Sequence, residues 1–102
     1  MSGLIFNTAA FDAQAVEVRG TPTCSGWIKQ KGTLQGSGNK GWLVGFLSGV
    51  AVESDKDFLL GTDSDALFLW VDNYCQANPL NDVALAGWAL SVELRLKKDL
   101  LK

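Results

Sequence analysis

Histidine is absent from this chain of 102 residues, and cysteine occurs only twice. The missing imidazole removes the commonest general base and the commonest metal ligand of proteins. Catalytic triads that use histidine and zinc sites that it ligates are therefore excluded. The two cysteines do not form a CxxC pair either, so we expect no dithiol oxidoreductase chemistry.

The sequence also lacks an excess of charge and a long apolar run. Nine Lys and Arg stand against eleven Asp and Glu, which gives a net charge of -2 and argues against a nucleic-acid partner. No stretch of eighteen apolar residues occurs, so we expect no membrane span. The first residues lack the basic region and apolar run of a secretory signal. This fits either a cytosolic protein or an exported one whose leader is replaced by Met1 to Gly3.

Patterns typical of helices cover most of the sequence. Thr23 can cap a short helix that Gly32 stops, a second helix covers 42–52, and Asp63 or Ser64 can cap a third. Asn78 and Pro79 then fit the N-cap and first position of a last helix. The third helix has the clearest apolar stripe, formed by Leu67, Trp70, Val71, Tyr74 and Cys75. We predict an all-α bundle of about four helices.

The chain length fits a single domain over 1–102, with an extended arm at 1–22 and the helical core at 23–102. Alternation in Val16–Arg19 favours a short β-strand or hairpin in the arm. This strand would pair with the arm itself or with a second copy of the chain, which leaves a homodimer open.

Glycines mark two features of the sequence. The small residues of 32–41 indicate a mobile connection between helices. Gly41, Gly45 and Gly49 recur every fourth residue and so share one helix face. Because a glycine face lets another backbone approach closely, we expect these three at a tight helix crossing in the core.

Cys24 and Cys75 lie on the apolar stripes of two predicted helices. An intramolecular disulfide is the simplest interpretation, and two buried free thiols are the alternative. Disulfides persist in oxidising compartments, so the bond favours a periplasmic or secreted protein.

Acidic residues concentrate between 53 and 72, where six carboxylates and one lysine give a net charge of -5. Calcium binding is not expected, because Phe58 stands where a calcium loop needs glycine. Two interpretations stay open, a solvated segment that caps a helix and a surface that binds a partner. The candidate partner-binding residues are Glu53, Asp55, Asp57, Asp63 and Asp65.

Three segments, 24–27, 42–49 and 70–80, resemble small exported proteobacterial proteins of unassigned function. The helix with spaced glycines, the helix that ends in Asn78-Pro79 and the last helix rich in Ala and Leu are similar to the type VI amidase immunity (Tai-type) proteins. This resemblance implies a periplasmic, disulfide-bonded helical protein that blocks a secreted cell-wall amidase by inserting into its active site. The HdeA and HdeB acid-stress chaperones are a more distant likeness, in size, helical content and a single disulfide.

We therefore expect a protein without enzymatic activity, cofactor or metal, which binds and inhibits a protein partner such as a secreted toxin or cell-wall enzyme. The alternative is a holdase activated by acid. At pH 2 the eleven carboxylates would be neutral and the nine cations would remain, so that repulsion could open the core.

Overall fold

The computed structural model describes residues 16–100 of the chain. Within them lie four helices, α1 (Cys24–Lys29), α2 (Leu34–Ser54), α3 (Ser64–Ala77) and α4 (Val83–Leu100). Helix α2 packs on α4, α4 on α3, and α3 on α1. The expected small all-α bundle is confirmed.

The described part of the arm, residues 16–22, forms no strand. The single β-type pairing among residues 16–100 is an isolated antiparallel bridge between Thr23 and Asp82. The expected strand at 16–19 is therefore wrong, because this segment finds no neighbouring strand in the described chain. The rest of the predicted arm, residues 1–15, lies outside the described residues.

Helix α2 begins at Leu34, eight residues before the expected start at Trp42. The expected mobile connection at 32–41 is therefore wrong. The Thr33 hydroxyl accepts a hydrogen bond of 3.1 Å from the Gly36 N–H and caps the helix. Gly36 is buried, and a Cβ there would overlap the Gln30 carbonyl oxygen. Asn39 is buried as well and donates to the Gln30 side-chain oxygen at 2.9 Å. Glycine here permits a close approach of the α1–α2 turn to the helix.

The crossing expected at Gly41, Gly45 and Gly49 is also wrong. All three are exposed, and a Cβ added to any of them would meet nothing within 4 Å in the described structure. Leu43 and Leu47 point into the core instead. Helix α2 instead packs tightly on α4 at Gly87, where a Cβ would come within 2.9 Å of the Phe46 ring. Spacing places residues on one helix face but does not say which face the neighbouring helices cover.

Helix α3 begins as expected at Ser64, with Asp63 as its N-cap. The expected start of the last helix at Pro79 is wrong. Asn78 instead ends α3, where its backbone N–H and its side-chain amide both donate to the Tyr74 carbonyl oxygen at 2.9 Å. Helix α4 starts at Val83, because the Asp82 carboxylate accepts a hydrogen bond of 2.9 Å from the Leu85 N–H. The bridge to Thr23 holds Asp82 at this position.

The core lies between α2, α3 and α4 and is closed by α1 and by the loop after α2. Its fully buried side chains include Leu43, Leu47, Phe58, Val71, Val83 and Leu90. Each helix within residues 16–100 is too short or too polar to cross a lipid bilayer.

Candidate functional site

Cys24 and Cys75 form a disulfide, as the sequence predicts, and both are buried. The bond joins α1, a helix of six residues, to the last turn of α3. A helix this short is not stable by itself in water, so it depends on its partner. The disulfide therefore holds one side of the bundle together.

The acidic segment, residues 53–65, runs from the end of α2 to the first turn of α3. Asp55 turns the chain at the end of α2 in the left-handed conformation (φ 55°), and its N–H donates to the carbonyl oxygens of Ala51 and Val52. Phe58 then enters the core and is fully buried. The segment is thus fixed at its start and in its middle, while its carboxylates and the Leu60 side chain face solvent.

A second set of contacts attaches the acidic segment to the C-terminal end of α4. The Lys98 ammonium donates to the Leu60 carbonyl oxygen at 3.0 Å. Lys56 lies 3.8 Å from Asp99, in an exposed ion pair that contributes little stability. These contacts limit the movement of the segment relative to the bundle.

The five candidate carboxylates are all exposed, but they have different surroundings. Asp63 caps α3 with a weak hydrogen bond of 3.4 Å from the Asp65 N–H, as the capping interpretation expects. Glu53 faces a groove between α2 and α4, and Asp65 faces a cleft between α1, α2 and α3. Asp55 and Asp57 remain as the carboxylates of the loop itself.

The polar cleft beside Asp65 has a volume of about 230 Å³. Asp72 lies in it and accepts hydrogen bonds from the Trp27 indole nitrogen at 2.7 Å and from Lys31 at 2.8 Å. Lys40 lies 5.0 Å from the centre of the Phe68 ring. The charges of the two lysines and the two carboxylates in the cleft cancel. Both oxygens of Asp72 already accept hydrogen bonds from within the protein. The cleft thus links helices and presents no nucleophile paired with a base.

An interhelical groove between α2 and α4 is the larger surface feature, at about 430 Å³. Gly45 and Gly49 form one wall, and Trp88 and Arg95 form the other. The Arg95 guanidinium lies 5.3 Å from the centre of the Trp88 ring and donates to the Ser91 carbonyl oxygen at 3.2 Å. Sequence reasoning missed this groove because it assigned both glycines to the core.

No family model, curated protein or solved structure matches this chain. The resemblance to Tai-type proteins and to the HdeA and HdeB chaperones therefore stays a hypothesis. Among residues 16–100, no three His, Cys, Asp or Glu side chains are grouped so that they could hold a metal ion.

Proposed function

We propose that this chain is an exported binding protein without enzymatic activity, which presents its acidic segment to a basic surface of a protein partner. In this proposal it acts in the periplasm as an immunity protein or inhibitor. The single observation that carries the proposal is the loop after α2, which the buried Phe58 ring anchors while Asp55 and Asp57 remain exposed.

An anchored loop binds at lower cost than a flexible one, because its backbone loses less conformational freedom in the complex. The Phe58 ring, the turn at Asp55 and the contact of Lys98 with the Leu60 carbonyl oxygen all restrict this loop before any partner arrives. A preorganised loop that projects from a rigid bundle is a frequent way to enter a cleft of another protein.

The charge of this loop favours a partner with a positively charged surface. Asp55 and Asp57 flank Lys56 in the loop, and Glu53 adds a third carboxylate at the end of α2, so that this stretch carries a net charge of -2. Such a cluster accelerates association with a positively charged surface, and added salt reduces the acceleration. The proposed partner is therefore a secreted protein with a basic cleft, for which a cell-wall amidase is the candidate that the resemblance suggests.

The disulfide supports export. It is buried and structural, and such bonds persist mainly in oxidising compartments such as the periplasm.

The proposal is tested with the purified products of the genes that neighbour the gene for this chain. Association rates are measured at two salt concentrations for the wild type and for the double variant Asp55→Asn, Asp57→Asn. Asparagine tolerates the left-handed conformation at position 55, so folding should be retained. The matched control is Glu17→Gln, which removes an exposed carboxylate outside the acidic segment.

We expect the double variant to associate more slowly at low salt, the difference to shrink at high salt, and the control to behave as the wild type. Equal rates at both salt concentrations would exclude the acidic segment as the binding site. A neighbouring gene product that does not bind would remove the immunity role.

The second candidate is a holdase activated by acid, and the Asp72 contacts favour it. This carboxylate accepts the hydrogen bonds of Trp27 and Lys31 that join α1 and the turn after it to α3, so the bundle depends on a contact with an acidic side chain. The test is dye binding and protection of an acid-sensitive client protein at pH 2. A chain that stays packed at this pH, or opens without protecting the client, excludes the chaperone.

A further inference from the structure

The polar cleft between α1, α2 and α3 contains two charged side chains that pair with each other and two that do not. Lys31 and Asp72 form a salt bridge of 2.8 Å in the cleft. Lys40 and Asp65 also line the cleft, but neither has an ion partner within residues 16–100. The cleft therefore keeps one cation and one anion for a ligand.

The two unpaired charges lie on facing helices. Lys40, on α2, holds its ammonium 5.0 Å from the centre of the Phe68 ring on α3. Asp65 precedes Phe68 on α3 by one helical turn, a rise of about 4.5 Å, and residues with this spacing share a helix face. Asp72 lies one turn beyond Phe68 on that face, where Lys31 already binds it. The open part of the cleft thus lies between Lys40 and Asp65.

Apolar side chains form much of the remaining lining of the cleft. The ring centres of Trp27 and Phe68 lie 6.3 Å apart, and Trp27 is almost fully buried. The Leu69 side chain, which is 59% exposed, lines the cleft as well. Because covering exposed apolar surface is favourable, an apolar group of a ligand would be stabilised here.

The volume of the cleft, about 230 Å³, limits the size of its ligand. Clefts that take drug-sized molecules measure about 300–1,000 Å³, so this cleft suits a ligand about the size of one amino acid. Such a ligand needs a carboxylate for Lys40, an ammonium for Asp65 and an apolar group. Its net charge should be zero, because the charges that line the cleft cancel.

We propose that this cleft binds the zwitterion of a free apolar α-amino acid, with its carboxylate on Lys40, its ammonium on Asp65 and its side chain against Leu69. Hydrogen bonds between ions are about twice as strong as those between neutral groups. A free amino acid carries both charges on one carbon atom and can contact both helices, whereas a residue inside a peptide carries neither charge. The proposal does not use Asp55 or Asp57 and is independent of the proposed function.

The test is a titration of the isotope-labelled full chain with leucine, followed by nuclear magnetic resonance. We expect saturable shifts of the Trp27 indole N–H and of the Phe68 and Leu69 amides, with a dissociation constant of about 1 mM. Isocaproate lacks the ammonium of leucine, isoamylamine lacks its carboxylate, and glycine lacks its apolar side chain. Each of these analogues should bind about tenfold more weakly, because each omits one of the three contacts.

Substitutions of the two unpaired charges test their roles. Lys40→Gln and Asp65→Asn should each weaken leucine binding about tenfold. The matched controls Lys29→Gln and Asp57→Asn remove an exposed cation and an exposed carboxylate outside the cleft, and both should bind leucine as the wild type does. The absence of saturable shifts at about 10 mM leucine would overturn the proposal. Equal affinity for leucine and any one of the three analogues, or unchanged leucine binding by either cleft variant, would overturn it as well.

Discussion

The Trp27 indole nitrogen donates a hydrogen bond of 2.7 Å to Asp72. Trp27 follows Cys24 by three residues on α1, and Asp72 precedes Cys75 by three residues on α3. The hydrogen bond and the disulfide are therefore consecutive contacts of one antiparallel helix pair in one register. Lys31 adds a bond of 2.8 Å to the second oxygen of the same carboxylate. Because the disulfide fixes the register, it also fixes the distance between the indole and its acceptor.

Substitution of Asp72 should destabilise the fold through the unpaired indole. Asp72→Ala removes the acceptor of the Trp27 N–H, and Trp27 is almost fully buried. We expect a loss of about 2 kcal/mol in the free energy of unfolding, measured by urea titration. Asp65→Asn, at an exposed carboxylate of the same cleft, is the control and should change little. If Asp72→Ala is as stable as the control, the indole does not depend on this carboxylate.

The disulfide should be a major source of stability in this small domain. It closes a loop with a sequence separation of 51 residues, for which the chain-entropy model gives about 4 kcal/mol. The double variant Cys24→Ser, Cys75→Ser should therefore unfold at much lower denaturant concentration. Alkylation of the folded wild type without reductant should leave its mass unchanged. Two labelled thiols in folded wild-type protein would contradict the bond.

Substitution of two glycines of α2 by alanine should change the free energy of unfolding in opposite directions. Gly36→Ala brings a methyl group against the Gln30 carbonyl oxygen, and we expect a loss of about 1–3 kcal/mol in the free energy of unfolding. Gly38→Ala, where a Cβ meets nothing within 4 Å in the described structure, should gain up to about 1 kcal/mol from helix propensity. Thermal melts of the two variants measure the difference directly. A stabilising Gly36→Ala would show that the turn after α1 does not approach α2 this closely.

Phe58 should control the order of the acidic segment. Phe58→Ala removes a fully buried ring, with an expected loss of about 3–5 kcal/mol, whereas Leu60→Ala truncates an exposed side chain and should change little. Amide hydrogen exchange in residues 55–62 should accelerate in the first variant more than in the core of α3. Uniform acceleration across the bundle would mean that the ring supports the whole core and does not specifically anchor the loop.

Local signals in the sequence were sufficient for several elements of this fold. Thr23 and Asp63 stand directly before helical stripes, and each caps the helix that follows it, because an N-cap needs only its own side chain and the next few N–H groups. The stripe of α3 and the two solitary cysteines likewise indicated a helix and a bond that the structure contains. Amphipathic periodicity and capping are properties of neighbouring residues, so the sequence shows them directly.

Tertiary structure decided the features that depend on a distant partner. Position 36 requires glycine because the Gln30 carbonyl oxygen packs against it, and Asp82 caps α4 because its bridge to Thr23 holds it in place. The face of α2 that carries Gly45 and Gly49 is exposed because Leu43 and Leu47, on another face, are covered by the bundle. The packing of the helices also places the carboxylates of the acidic segment in three different surroundings, which are a groove, a loop and a cleft. Helical spacing determined which residues share a face, and only the packing of the four helices determined which face meets the core.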